Sequence, residues 1–165
     1  MDSYVNYAII ETVHKRITQL DHLIISTSQR LYLPIARFAF FVIFFYFGFL
    51  KIVGLSPASP LAEALTTKTI GMEFFDILFF VLAIVECLIG ILFLIPKATR
   101  IVIFLLFVHM TVVCSPLVLA PEHVWTSFLV PNLEGQYIIK NIALVAIAIG
   151  IAAHVTPLEK RRAKK

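Results

Sequence analysis

Charge is scarce in this chain. Lys, Arg, Asp and Glu together make up 15% of its 165 residues, against about 25% in a soluble domain. With 60% of the residues hydrophobic, this scarcity excludes a disordered chain and a basic nucleic-acid-binding arm. Cysteine is scarce too. Cys87 and Cys114 are the only two, which excludes a disulfide-built secreted module, and no Cys-x-x-Cys pair exists for a self-contained thiol relay. They fall on separate apolar runs at different depths, so they read as unbridged packing residues. There is no His-Glu-x-x-His, no Cys/His ligand cluster, no nucleophile elbow and no glycine-rich phosphate loop, so no metal site is expected. Internal repeats are absent, and the first thirty residues lack the layout of a signal peptide.

What the chain has instead is long apolar runs. Four stand out, at about 31–53, 74–95, 101–120 and 137–155. Each approaches the ~20 residues that a helix needs to cross a hydrocarbon core of roughly 30 Å. The second contains Asp76 and Glu86 and so tests the assignment. Its seventeen Phe, Leu, Ile and Val residues together favour insertion by about 5 kcal/mol, against about 3 kcal/mol for one central acid. Insertion wins. The predicted fold class is an all-α integral membrane protein, a four-transmembrane-helix bundle at 31–155. Before it comes an amphipathic interfacial helix at 1–30, and after it a basic cytoplasmic tail at 156–165.

The breaks between runs agree. Pro96 to Arg100 forms a polar turn, Ser59 is placed as N-cap of a short helix that begins at Pro60 and ends near Thr66, and Gly71 precedes the second run. Pro116 should free the carbonyl of Val112 and kink the third run. The 121–136 loop, with Trp125 and Phe128, suits the headgroup level.

Counting basic residues orients the bundle. Both termini share a side with the Pro96–Arg100 turn, and that side holds eleven of the fourteen Lys and Arg residues, with the Lys160–Lys165 tail prominent among them. Both termini are therefore expected in the cytoplasm. In the N-terminal segment Val5, Ile9, Val13, Ile17, Leu20 and Ile24 recur at helical spacing. This reads as a helix on the inner leaflet, or as a docking helix for a partner subunit. Nucleic acid is not an expected partner; membrane lipid is.

Ionisable residues inside spans mark function or pairing. Arg37 and Lys51 lie fourteen residues apart in the first run, close to four helical turns, so they share a face with Phe44 and Gly48. Glu86 and His109 each lie nine residues from the inner end of their runs, roughly 13–14 Å deep. They can meet at the midplane, with Arg37 reaching toward Glu86 to complete a polar pocket. Asp76, Lys51, Lys140 and Asn141 form a second cluster near the outer face. Two readings stand: ion pairs that only pin helix register, or a pocket that exchanges protons or holds a polar ligand. With His109 the only histidine deep in a span, an intrinsic haem is not expected. Ala143, Ala146, Gly150 and Ala153 make a small-residue stripe, read as packing inside the bundle. The phenylalanines Phe40, Phe41, Phe44, Phe45 and Phe47 read as lipid-facing bulk.

These positions resemble a known pattern. Arg37 followed by Gly48-Phe49-Leu50-Lys51 looks like the early Arg and G-x-x-K of the DoxX-like family. The stretch from Glu86 to Leu92 is similar to its E-x-x-x-G-x-L signature, and Thr99-Arg100 resembles the turn that follows. Gly135 to Asn141 resembles the G-R-x-x-L-K-D segment of the YkgB/RclC-like branch, with Gln136 and Asn141 replacing its Arg and Asp. An outer-face Lys–acid pair would then have to use Asp76 or Glu134. The resemblance covers about residues 31–153 and implies a four-helix bacterial inner-membrane protein. It also implies a membrane subunit of a redox or quinone-linked system, associated in some members with oxidative stress. Such a chain would be an accessory or anchor subunit beside a partner redox protein rather than a self-contained catalyst, with a quinone as the one cofactor the resemblance admits. The alternative is a non-enzymatic component, either a small-solute or proton-coupled carrier or a structural subunit of a larger membrane complex.

Overall fold

The computed structural model describes residues 2–156, so the basic tail from Lys160 and the side chains of Val5 and Ile9 lie outside the described residues. The chain is 83% helical. Helix α1 runs Asp2–Ile52, α2 Ser59–Thr69, α3 Phe75–Phe93, α4 Thr99–Cys114, α5 Pro116–Leu119 and α6 Leu133–Ala153. Two short strands, β1 Trp125–Ser127 and β2 Val130–Pro131, pair antiparallel before α6. Four helical stretches are long and apolar enough to cross a membrane: Val13–Ile52, Met72–Phe93, Pro96–Leu119 and Leu133–Ala153. Each overlaps one of the four apolar runs, the first beginning well before its run.

The chain divides between Ile35 and Ala36 into two units. The described part of the first is helix. From Glu11 to Leu31 every described side chain is exposed. The second unit holds the bundle. Its core is built from Phe40, Ile89, Phe93, Val102, Leu106 and Ile151, all under 2% exposed.

Local chemistry explains the joints. Gly71 precedes the turn into α3 with φ +97°, a backbone region that L side chains avoid. Helix α2 is entered one residue earlier than the sequence implies. Ala58 is its N-cap and Pro60 lies in its first turn, while the Ser56 hydroxyl accepts from the Ala58 amide. The helix also runs on to Thr69, and Thr66, Thr67 and Thr69 each donate a hydroxyl to a carbonyl of the preceding turn. Pro116 breaks the third run as expected, and the break falls at Ser115. The Ser115 amide and hydroxyl both donate to the Val112 carbonyl that the proline leaves open.

The segment before α6 is anchored rather than loose. Trp125 Nε1 donates to the Leu117 carbonyl. Asn132 caps α6 by accepting from the Gly135 amide at 2.9 Å, and its own side-chain amide donates to the His123 carbonyl. Gly135 lies directly beneath the Val124 carbonyl, where a Cβ would collide. The hairpin tip, Phe128 and Leu129, is left exposed. Lys68 pairs with Glu122 at 2.6 Å, and that hydrogen bond holds the Glu122 carboxyl below its ordinary value of 4.5.

Two expectations about helix faces are corrected. Phe40 and Phe44 are buried, with Phe40 stacked on Phe93 at a 4.0 Å centroid distance, whereas Phe47 is exposed and Phe41 and Phe45 are half-buried. The small-residue stripe of α6 also faces outward at Ala143, Ala146 and Ala153. The buried face of α6 is instead Gly135, Ile138, Ala148 and Ile151.

Candidate functional site

The site is a consequence of how closely α1 and α3 approach. Gly48 of α1 lies where a Cβ would stand 2.8 Å from the Ala83 carbonyl and from Cys87 Sγ. Gly90 of α3 lies where one would stand 2.8 Å from the Phe45 amide nitrogen. Two glycines, one from each helix, thus set the backbones in contact. The register is antiparallel and puts Glu86 level with Gly48.

Lys51 is one helical turn beyond Gly48. Side chains on a helix lean toward its N-terminus, so the Lys51 side chain turns back along α1 toward Glu86. Its Nζ donates to Glu86 Oε2 at 2.6 Å, and the two side chains are only 8% and 7% exposed. His109 enters from α4 and is equally buried. Its Nε2 stands 3.4 Å from Glu86 Oε1, slightly beyond ordinary hydrogen-bond length. The Phe44 ring meets the imidazole edge-on at 5.5 Å. His109 Nδ1 is a buried polar atom with no hydrogen-bond partner. An orphaned polar atom of this kind costs about 1–3 kcal/mol.

Glu86 and His109 therefore meet, as the depth count predicts, but their cation is Lys51 and not Arg37. The register puts Arg37 about eleven residues from the level of Glu86, roughly 16 Å along the axis, beyond the reach of its side chain. Arg37 also leans toward the N-terminus of α1, away from Glu86. Its Nη1 donates to the Phe93 carbonyl at 3.0 Å and its Nη2 to Thr99 Oγ1 at 2.7 Å. The Thr99 hydroxyl in turn donates to the Pro96 carbonyl at 2.7 Å. A cation at the C-terminal carbonyls of α3 is favoured by the helix dipole, so Arg37 closes the α3–α4 turn. Arg37→Met should cost about 1.5 kcal/mol in thermal unfolding while leaving the Lys51–Glu86 pair intact. An equal loss from Arg37→Lys would show that the two-nitrogen fork, rather than charge alone, makes the cap.

The proposed outer-face cluster does not assemble. Lys51 is engaged by Glu86, Asp76 is exposed in the first turn of α3, and Lys140 lies over the Tyr137 ring at 5.2 Å. Asn141 is half-buried on the inward face of α6. Glu134, the other acid considered for that cluster, is exposed. Cys87 and Cys114 are free thiols, and Cys87 Sγ approaches the Phe45 carbonyl at 3.8 Å. Among the described residues no group of three His, Cys, Asp or Glu side chains is placed to hold a metal ion.

What the Lys51–Glu86–His109 group can do chemically follows from its parts. An ammonium and a carboxylate compensate one another, and an imidazole beside them offers one nitrogen toward the carboxylate and one to anything that arrives. An imidazole in that position can receive a proton at one nitrogen and release it at the other. No family model, curated protein or solved structure matches this chain.

Proposed function

We propose that this chain is a multi-pass protein of the bacterial inner membrane, with both termini cytoplasmic. In this reading it is a DoxX-like membrane subunit of a redox or quinone-linked system, and the Lys51–Glu86–His109 group is its proton-handling site. The observation that carries the reading is His109. It is 4% exposed, one ring nitrogen faces a carboxylate, and the other has no partner. The four apolar helices support membrane insertion, and the excess of basic residues on one side supports the orientation.

The residues fit a quinone in one respect: His109 Nδ1 has no partner, and when the ring is protonated it is the N–H that a quinone carbonyl requires. When bound, a quinone would supply two-electron, two-proton acceptor chemistry. A protonated His109 would orient its carbonyl and deliver a proton from Nδ1, the Glu86 carboxylate would accept from Nε2–H and stabilise the imidazolium, and Lys51 would hold Glu86 in place. Electrons would come from a partner oxidoreductase.

The test is purification of the full chain in mild detergent, with solvent extraction and chromatography of bound quinone. Wild type should carry quinone and His109→Leu should carry much less, with both proteins equally folded. A wild-type preparation holding neither quinone nor an oxidoreductase partner would overturn the reading. A structural role in a larger membrane complex is the second reading, favoured by the close Lys51–Glu86 pair, in which each charge compensates the other. It requires that a folded variant lacking both charges behave as wild type does.

A further inference from the structure

The first unit of the chain carries a pattern that the membrane-crossing bundle does not use. Ile10, Ile17, Ile24 and Leu31 recur at seven-residue intervals, with Val13, Leu20 and the polar Thr27 at the intermediate positions. Helical residues spaced alternately by three and four form one seam, and a β-branched residue at the first position with Leu at the fourth, as at Ile17 and Leu20, favours two parallel strands. In the structure this stretch is helix. Val13, Ile17, Leu20, Ile24 and Leu31 are 47–64% exposed, so the seam is uncovered. Opposite the seam stand Lys15, Gln19, His22, Ser26 and Gln29, all polar and all exposed.

We propose that this seam pairs with the same seam of a second copy of the chain, as a short parallel coiled coil. Self-complementary charge identifies the occupant. Arg16 flanks the seam on one side and Asp21 on the other, five residues on. That is the offset at which flanking positions of two parallel strands meet across the interface. Each copy supplies one Arg16 and one Asp21, so a two-fold pair makes the contact twice, as an isologous interface requires. A partner of different sequence would have to carry the same arrangement independently. A lipid surface fits less well. Helices that lie on anionic leaflets carry polar faces rich in Lys and Arg, whereas this stretch sets Glu11 and Asp21 against Lys15, Arg16 and Arg30.

Cysteine cross-linking of the full chain in isolated membranes tests this. Leu20→Cys, in the seam, should give a covalent dimer on oxidation, several times the yield of His22→Cys on the polar face and of the parent chain with its two native thiols. In the Leu20→Cys background, Arg16→Asp and Asp21→Arg should each lower the yield, and the two together should restore it. Equal yields at positions 20 and 22, or a double reversal that fails to restore the dimer, would overturn the proposal. So would a fluorophore at position 20 that is quenched by headgroup-level spin-labelled lipid without any dimer, which would place the helix on the membrane.

Discussion

Lys51→Met is expected to destabilise the folded chain by about 3–5 kcal/mol, the cost of removing one partner from a buried ion pair. Glu86 would be left facing His109 alone, and among the described residues no other Lys or Arg pairs with it. Its desolvation would stand uncompensated. The companion variant Lys51→Met/Glu86→Gln should recover most of the loss, because removing both charges removes the desolvation of both. Thermal unfolding in mild detergent, followed through the single Trp125, measures the difference. If Lys51→Met melts with wild type, the pair contributes nothing to the fold. The same double variant separates the two functional readings. If it folds and loses proton-linked activity, the group is chemical; if it folds and loses nothing, the group is a fastener.

Gly90→Val should cost about 3 kcal/mol or more, at the upper end of overpacking effects. The position is crowded by backbone, not by side-chain tips. A Cβ there stands 2.8 Å from the Phe45 nitrogen, 3.0 Å from Phe45 Cβ and 3.2 Å from the Phe41 carbonyl. Main chain cannot step aside without moving α1. Moving α1 away from α3 carries Lys51 off Glu86, so Gly90→Val and Lys51→Met should be non-additive, with the double variant losing less than the two losses taken separately. Interaction energies between coupled sites reach about 0.5–3 kcal/mol, which a cycle of four melting curves resolves. Strict additivity would show that the glycine contact and the ion pair are independent.

The four helices were legible because run length and hydropathy suffice to find a segment that can span a membrane. Faces were not, and the reason is composition. In a stretch such as Phe38 to Phe49 nearly every residue is apolar, so hydropathy offers no contrast between core and outside. The signal lay in the rare residues. Arg37, Phe40, Phe44, Gly48 and Lys51 share one face, and the polar and small members of that set mark it as the inward one. Phe40 and Phe44 are buried for that reason. The same logic applies to α6, where the half-buried Asn141 marks the packed face with Ile138 and Ala148, while the small-residue stripe looks outward. The exchange of Arg37 for Lys51 has a different origin. Counting residues along an axis places Cα atoms, but long side chains act at a distance from them and lean toward the helix N-terminus. Lys51 was therefore assigned too shallow a depth and Arg37 too deep a reach.

Arg37 and Lys51 also constrain how the bundle can move. Both lean the same way along α1 and grip α3 at separate levels, one at its C-terminal carbonyl and one at its central carboxylate. Sliding α1 along α3 by one turn, about 5.4 Å, would part both grips together and drive Gly48 and Gly90 out of the hollows that fit them. Shear of this helix pair therefore costs both grips at once, and a stroke that keeps them carries the Ala36–Ile52 part of α1 along with α3.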